Sequence, residues 1–399
     1  MSKANKTNNV PSAARTNKGV STEYGATQNS PVIFSFFSGS GFLDLGFESE
    51  GFDVAFVNEI SLSFLSAYKY SRAKMGMPTP KYGYYNLDIN DFLNGRKEEL
   101  RRLVEETRNS GRLVGFIGGP PSPDFSIAGK NKGSNGLNGK LSLAYVTLIA
   151  DIMPDFFLFE NVKGLWSTAR HRAYFDELKS KLHKVGYSTS ERLCNALEFG
   201  VPQDRERVLF FGVKSELLTV GAAVSETITA FPWEQFTKYN AEEIKRLPWS
   251  GTNDFGDDIT PSFDETKELL TVQYWFDKND VENHPNGAAH FTPRGGIEKM
   301  RTVPEGDVSR KSYKRLHRYR YSPTAAYGNN EVHLHPYKAR RISAAEAMAI
   351  QSLPKDFELP PDMTLSDMFK TIGNGVPFLL SDGIAKTIRV FLEDNVCKK

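Results

Sequence analysis

The stretch that decides the fold is VIFSFFSGSGFLDLGFE, residues 32–48. A run of β-branched and aromatic side chains stops at two glycines, then passes into apolar residues at helical spacing, which predicts a strand, a turn and a helix. Gly39 and Gly41 permit a tight turn and close approach of backbone to a ligand. A dinucleotide fingerprint places its third glycine three residues after the second; here Gly46 comes five after Gly41, which disfavours NAD and FAD. On this stretch alone, a plain connecting turn and a ligand-holding turn stand equal. Outward from it, apolar runs recur at DVAFVNE (53–59), LVGFIGG (113–119), DFFLFE (155–160) and RVLFFGV (207–213). Amphipathic stretches separate them, such as Leu141 to Met153, closed by Pro154. The series predicts buried strands of a doubly wound, mainly parallel α/β sheet.

The whole chain has 399 residues, 39% apolar and 25% charged, a globular composition that excludes disorder throughout and allows two or three domains. Lys and Arg exceed Asp and Glu by only two, so a polyanionic partner has to be argued from charge placement. Cys194 and Cys397 cannot build a disulfide framework or a Cys-rich zinc site, and they fit a reducing compartment. Residues 1–30 carry almost no large apolar side chain and are expected to be a disordered tail. No apolar run approaches the ~20 residues of a membrane helix, so a cytoplasmic chain without a membrane partner is expected. Residues 234–282 hold twelve acidic against five basic side chains, whereas Arg310 to Arg320 holds six basic and none acidic. That shift marks a second domain, and the expected division is 31–228, 229–332, a hinge and helical segment 333–370, and a C-terminal helix 371–399. His333 and His335 lack a third ligand, so no metal is assigned.

In open α/β sheets, ligands collect beyond the carboxyl ends of strands, and the unusual polar residues here sit at such ends. Glu59 closes the second strand, where a carboxylate can accept from a ribose diol, and Asp88 is placed to accept from an adenine amine. Each acid taken singly is more often a helix cap or a solvated turn than a ligand contact, and their order after a glycine turn favours the ligand. GGPPSPDFS (118–126) fixes a rigid loop straight after a buried strand. Glu160 ends a very apolar strand, where desolvation would keep its carboxyl partly protonated. In VPQDRER (201–207), Gln203, Arg205 and Arg207 recur at period two and project from one face; an exposed salt-bridged strand has the same spacing.

These strings, with RRISAAEAMAIQSLP (340–354) and IGNGVP (372–377), resemble the DNA cytosine-5 methyltransferase family in order, over nearly all of Phe34 to Phe391. The resemblance implies a doubly wound cofactor domain with an inserted target-recognition domain. It implies S-adenosylmethionine, leaving as S-adenosylhomocysteine, across Phe37, Gly39, Ser40, Gly41 and Phe42, with Glu59, Asp88, Ile89, Pro121, Leu141, Asn374 and Val376 completing the pocket. The partner implied is double-stranded DNA with the cytosine swung out of the stack, a step common to methyltransferases that act on bases. Glu160 would hold the base by N3 and its amine, Arg205 and Arg207 would engage the base oxygen and the phosphate, and Gln203 stands with them as a catalytic candidate. The stretch 126–140 is similar to the family's mobile loop, with Ser126, Lys130 and Lys132 toward DNA. A separate cognate restriction endonuclease and a monomeric state are expected.

Three positions depart from the family, Pro123 and Phe42 in small ways and one at the centre of the chemistry. The family's nucleophile is a cysteine where this chain has Ser122. A thiol supplies some thiolate at neutral pH, whereas a hydroxyl needs an adjacent base, and no histidine lies in the strings that build the site. The expectation is an inactive or severely impaired chain. An engineered sulfur-to-oxygen change is favoured because the other catalytic residues remain; a natural pseudoenzyme that binds DNA without methyl transfer is the alternative. In the recognition region, Arg315 and Arg318 are expected to contact phosphates or base edges.

Overall fold

β1 (Val32–Phe36), apolar except for Ser35, is buried along its whole length. The computed structural model describes residues 26–121, 137–260, 265–293, 295–325, 327 and 331–397. β1 pairs in parallel with β2 (Asp53–Asn58) on one side and β4 (Val114–Gly118) on the other. β3 (Tyr84–Tyr85) extends β2, and β5 (Phe156–Val162) pairs in parallel with β4. The far half of the sheet holds β6 (Tyr187–Asn195), β8 (Glu206–Lys214), β9 (Ala223–Val224) and β10 (Thr227–Ile228), giving the order β3-β2-β1-β4-β5-β8-β6-β10-β9. Away from it, β7 (Gln203–Asp204) pairs with β11 (Ser322–Pro323).

Helices cover both faces. Alternate side chains of the strands meet α1 (Phe42–Ser49), α2 (Leu62–Lys74) and α14 (Phe378–Asn395) through a core that includes Ile33, Phe47, Leu65, Leu158, Phe211 and Ile388. The opposite set, including Phe34, Phe36, Phe116 and Phe210, meets α3 (Ile89–Leu93), α4 (Lys97–Asn109), α5 (Leu137–Ile152) and α7 (Ala169–Lys184), with α6 (Gly164–Ser167) leading into α7. α8 (Ala241–Arg246), α9 (Glu265–Glu268), α10 (Val272–Lys278) and α11 (Ile297–Thr302) are all short. A third core joins α10 to α12 (Ala344–Ile350), α13 (Leu365–Asn374) and the start of α1 through Trp275, Met348, Phe369 and Phe42. Among the described residues, no helix is long and apolar enough to cross a membrane.

The doubly wound, mostly parallel sheet matches the sequence reading, with one correction. The run 207–213 belongs to β8, which is antiparallel to both neighbours, β5 and β6. The reason is the short link of residues 196–205 between β6 and β8, too short for the crossover that parallel neighbours require.

Candidate active site

The reversal of β8 brings its start to the carboxyl end of β5. Glu160 lies opposite Leu209 and Val162 opposite Arg207, so Glu160 and Arg207 are diagonal neighbours on one face. Arg207 Nε forms an ion pair with Glu160 Oε1 at 2.8 Å. Glu160 is 7% exposed, and burial pushes its carboxyl up while Arg207 and Arg205 pull it back. Its Oε2 is turned toward Gly119, where a Cβ would lie only 2.6 Å away; the glycine after β4 leaves that room. Asn161 Nδ2 donates to Pro120 O at 3.4 Å, tying this rim to the Pro-Pro loop, and Pro121 is exposed. Ser122, Ser126, Lys130 and Lys132 lie outside the described residues.

The period-two reading of 203–207 holds in space: Gln203, Arg205 and Arg207 are buried, while Asp204 and Glu206 are partly exposed and paired with Lys245 and Lys163. Arg205, 1% exposed, donates through Nη1 to Ala325 O and through Nη2 to Gly373 O and Gly375 O. Gln203 accepts from Ala325 N and donates to Gln351 Oε1. Neither fork nor amide is turned to a ligand; both hold backbone or another side chain.

The glycine turn sits at the same rim. Gly41 has φ 82 and begins α1, and a Cβ there would meet the Tyr68 ring at 2.5 Å. Arg72 Nη2 donates to Gly41 O at 2.6 Å and pairs with Glu48. Beneath the turn, Asp44 accepts from Ser35 Oγ and the Tyr68 hydroxyl; burial, reinforced by Glu48, pushes its carboxyl up to about 7. Glu59 Oε2 accepts from Gly39 N at 2.8 Å and Oε1 from Ser61 N at 2.7 Å, so the carboxylate at the end of the neighbouring strand braces the turn. Burial raises Glu59, and those backbone donors lower it. Asp88 caps α3 through Asn90 N. Ile89 is buried behind it. Phe37, at φ 53, meets the edge of Tyr145, and Leu141 is partly buried on the same side. Ser40 Oγ and Thr371 Oγ1 are 2.7 Å apart, which brings α13 to the turn, and Asn374 is exposed at the end of α13. Two expected pocket residues point elsewhere: the Phe42 ring packs edge-on to Phe357, and Val376 is buried in the core beside α14. Apolar rings and methyls turn from water first when a core is adjacent.

Sequence reading missed Ile60, an apolar side chain 62% exposed beside Glu59, and Thr371, whose contact with Ser40 spans 331 positions and has no local signal. Cys194 is buried on β6, and burial pushes its thiol up to about 12, so it is no nucleophile.

The recognition region brings a correction. Arg315, expected at DNA, is 0% exposed; it donates to the carbonyls of Met300, Val303, His335 and Lys338 and covers the Phe255 ring. Arg318 is held by the fully buried Glu305 at 2.9 Å. A guanidinium with five donors satisfies carbonyls that short irregular elements leave unpaired, and this use wins over display on the surface.

Residues 32–389 match the family described as C-5 cytosine-specific DNA methylase. A Type II methyltransferase of Neisseria meningitidis serogroup C, M.NmeDI, is 56% identical, over 91% of this chain and 84% of its own length. M.FnuDI of Fusobacterium nucleatum, another Type II methyltransferase, is 31% identical, over 91% of this chain and 95% of its own. Among solved structures, a putative DNA modification methyltransferase encoded within a prophage (E. coli) shares the fold with a TM-score of 0.62 at 22% identity, covering 92% of this chain and 100% of the other. With the family match running from β1 into α14 and the rim assembled from its strings, the chain belongs to the C-5 cytosine-specific DNA methylase family.

Proposed function

We propose that this protein is a Type II DNA methyltransferase of restriction-modification, built to move a methyl group from S-adenosylmethionine to C5 of an extruded cytosine, and that Ser122 leaves it inactive or severely impaired. The observation that carries the reading is the buried Glu160–Arg207 pair at the carboxyl rim, with the second Glu160 oxygen turned to the gap that Gly119 keeps open. A carboxyl raised by burial can keep a proton and donate it to cytosine N3 while accepting from the exocyclic amine. Arg207 orients that carboxyl and offers positive charge beside the base oxygen.

The turn fits the methyl donor by its chemistry. Glu59 retains acceptor capacity on both oxygens for a sugar diol, Ile60 offers apolar surface to a flat ring, and Gly39 and Gly41 bring backbone close. S-adenosylmethionine, when bound there by Phe37, Gly39, Ser40, Gly41, Glu59, Asp88 and Asn374, supplies an electrophilic methyl group. Activation of C5 toward it requires addition to C6 from position 122, for which a thiolate is suited and the Ser122 hydroxyl is not. DNA contact in the recognition region falls to the cations that Arg315 and Arg318 leave over: Lys311, Lys314 and Arg320 have no ion pair among the described residues.

Ser122→Cys tests the proposal. The revertant should transfer labelled methyl groups to duplex DNA of varied sequence, and the present chain should not. A folded revertant that binds duplex DNA yet transfers nothing overturns it in favour of the second reading, a DNA-binding pseudoenzyme, which Ser122 itself favours.

A further inference from the structure

Arg205 lies one strand residue from the rim, yet it touches nothing that a base or phosphate could share. Both Nη atoms are taken by three carbonyls, at 3.1 Å to Ala325, 2.8 Å to Gly373 and 3.0 Å to Gly375. Those carbonyls belong to two segments remote in sequence. Ala325 follows β11, within the expected recognition region 229–332 and seven residues before its end; Gly373 and Gly375 straddle the end of α13. The same two segments are joined a second time through side-chain amides. Gln203 Oε1 accepts from Ala325 N at 3.0 Å, Gln203 Nε2 donates to Gln351 Oε1 at 3.2 Å, and Gln351 Nε2 donates to Ile372 O at 2.6 Å. The ladder of β7 with β11 and the Thr324 hydroxyl on Asp204 O complete the seam.

One more bond extends this chain of contacts to the glycine turn: Thr371, one residue before Ile372, meets Ser40 at 2.7 Å. A continuous run of bonds therefore links Ser40, α13, Arg205 with Gln203, and Ala325. Ser40, Thr371, Gln351, Gln203, Arg205 and Ala325 are buried, so a slip at any of them strands a polar atom away from water, and such a network has few intermediate arrangements. Arg205 Nε and the Tyr327 hydroxyl, which neighbours it electrostatically, are buried without partners among the described residues. They mark where the seam can still tighten.

We propose that Arg205 is a positioning residue and not a base or phosphate ligand, and that with Gln203 it couples occupancy of the turn at Ser40 to the ordering of Ser322–Ala325, near the end of the expected recognition region. The coupling rests on reading that turn as the S-adenosylmethionine site. Filling the turn presses Ser40 on Thr371, holds the end of α13, and through the Arg205 fork draws in Ala325. The DNA-reading region is then set before DNA arrives.

Amide hydrogen exchange on the full chain, with S-adenosylhomocysteine as the probe and no DNA, tests this. The ligand should slow exchange at the Gly39–Gly41 turn and, by about tenfold, at the Ser322 and Ala325 amides. In Thr371→Val the turn should keep its protection while the effect at Ser322 and Ala325 disappears. Arg205→Lys, which replaces the fork by one point of charge, should do the same; should it fail to fold, Gln351→Met cuts the parallel path and Thr371→Val still decides. Protection at Ser322–Ala325 that survives unchanged in Thr371→Val and the folded second variant overturns the coupling alone, as does protection confined to the turn in the unsubstituted chain. A ligand that slows no amide anywhere overturns the cofactor reading and the coupling with it.

Discussion

Arg207 at the sheet rim and Arg315 in the recognition region are both buried arginines, and they do opposite things. Arg207 faces one carboxylate, Glu160, whose second oxygen is turned toward Gly119, 2.6 Å from where a Cβ would stand. Arg315 faces four backbone carbonyls from residues 300–338. The first arrangement pairs one cation with one carboxylate at the carboxyl ends of the strands; the second uses the cation to join a region of short helices. A run of positive charge along a chain is therefore no guide to a DNA surface until the partners of each cation are known.

Breaking Arg315 should give the largest stability effect. Arg315→Ala leaves several buried carbonyls without donors and should destabilise the fold by about 5 kcal/mol, seen in thermal or urea unfolding. A loss below about 1 kcal/mol would show that the recognition region does not depend on this centre.

Two buried acids sharpen the contrast through pH. Asp44, under the glycine turn, is pushed up to about 7 by burial and Glu48. Its folded pKa is raised, so its contribution to stability is present below the ordinary aspartate pKa and is lost as pH rises from about 4 through 7, on the order of 4 kcal/mol. Glu346, in the capping box of α12, would be raised by burial, but Arg340 and His335 outweigh that and hold it at about 2. Its contribution is present above the ordinary glutamate pKa and is lost as pH falls from 4.5 toward 2, on the order of 3 kcal/mol. Asp44→Asn should flatten the first limb of the stability profile, and Glu346→Gln the second, in unfolding measured across pH. Exchange of the two effects between variants would contradict the assignment.

The smallest effects belong to the cations of the basic run that have no ion pair among the described residues, Lys311, exposed, and Lys314 and Arg320, half-buried. Lys311→Ala, Lys314→Ala and Arg320→Ala should leave stability within about 0.5 kcal/mol. Each should lower the slope of log affinity for duplex DNA against log salt by about 1. Slopes that stay at the unsubstituted value would remove these residues from the interface.

The strands, the glycine turn and the order of the rim residues were legible because each is a local pattern: apolar runs, φ-permissive glycines, an acid at a strand end. Gln203, Arg205 and Arg207 were correctly grouped by period two, yet the partners of Arg205 and Gln203 were not foreseeable, because they come from residues 325, 351, 373 and 375. The direction of β8 was missed because an apolar run carries no arrow; the length of the link to its neighbour does. Phe42 was read as a pocket residue from its place in the turn, while its ring follows the apolar surface offered by Phe357.

Residue order alone settled the family and the strand-turn-helix start, since both reside in contiguous strings. Folding settled which polar groups remain free to act. A side chain's hydrogen-bond capacity is taken up by whatever the fold places within about 3 Å of it. For Glu160 that leaves an oxygen toward the rim, for Arg315 it leaves nothing, and for Arg205 it leaves a brace between two distant segments.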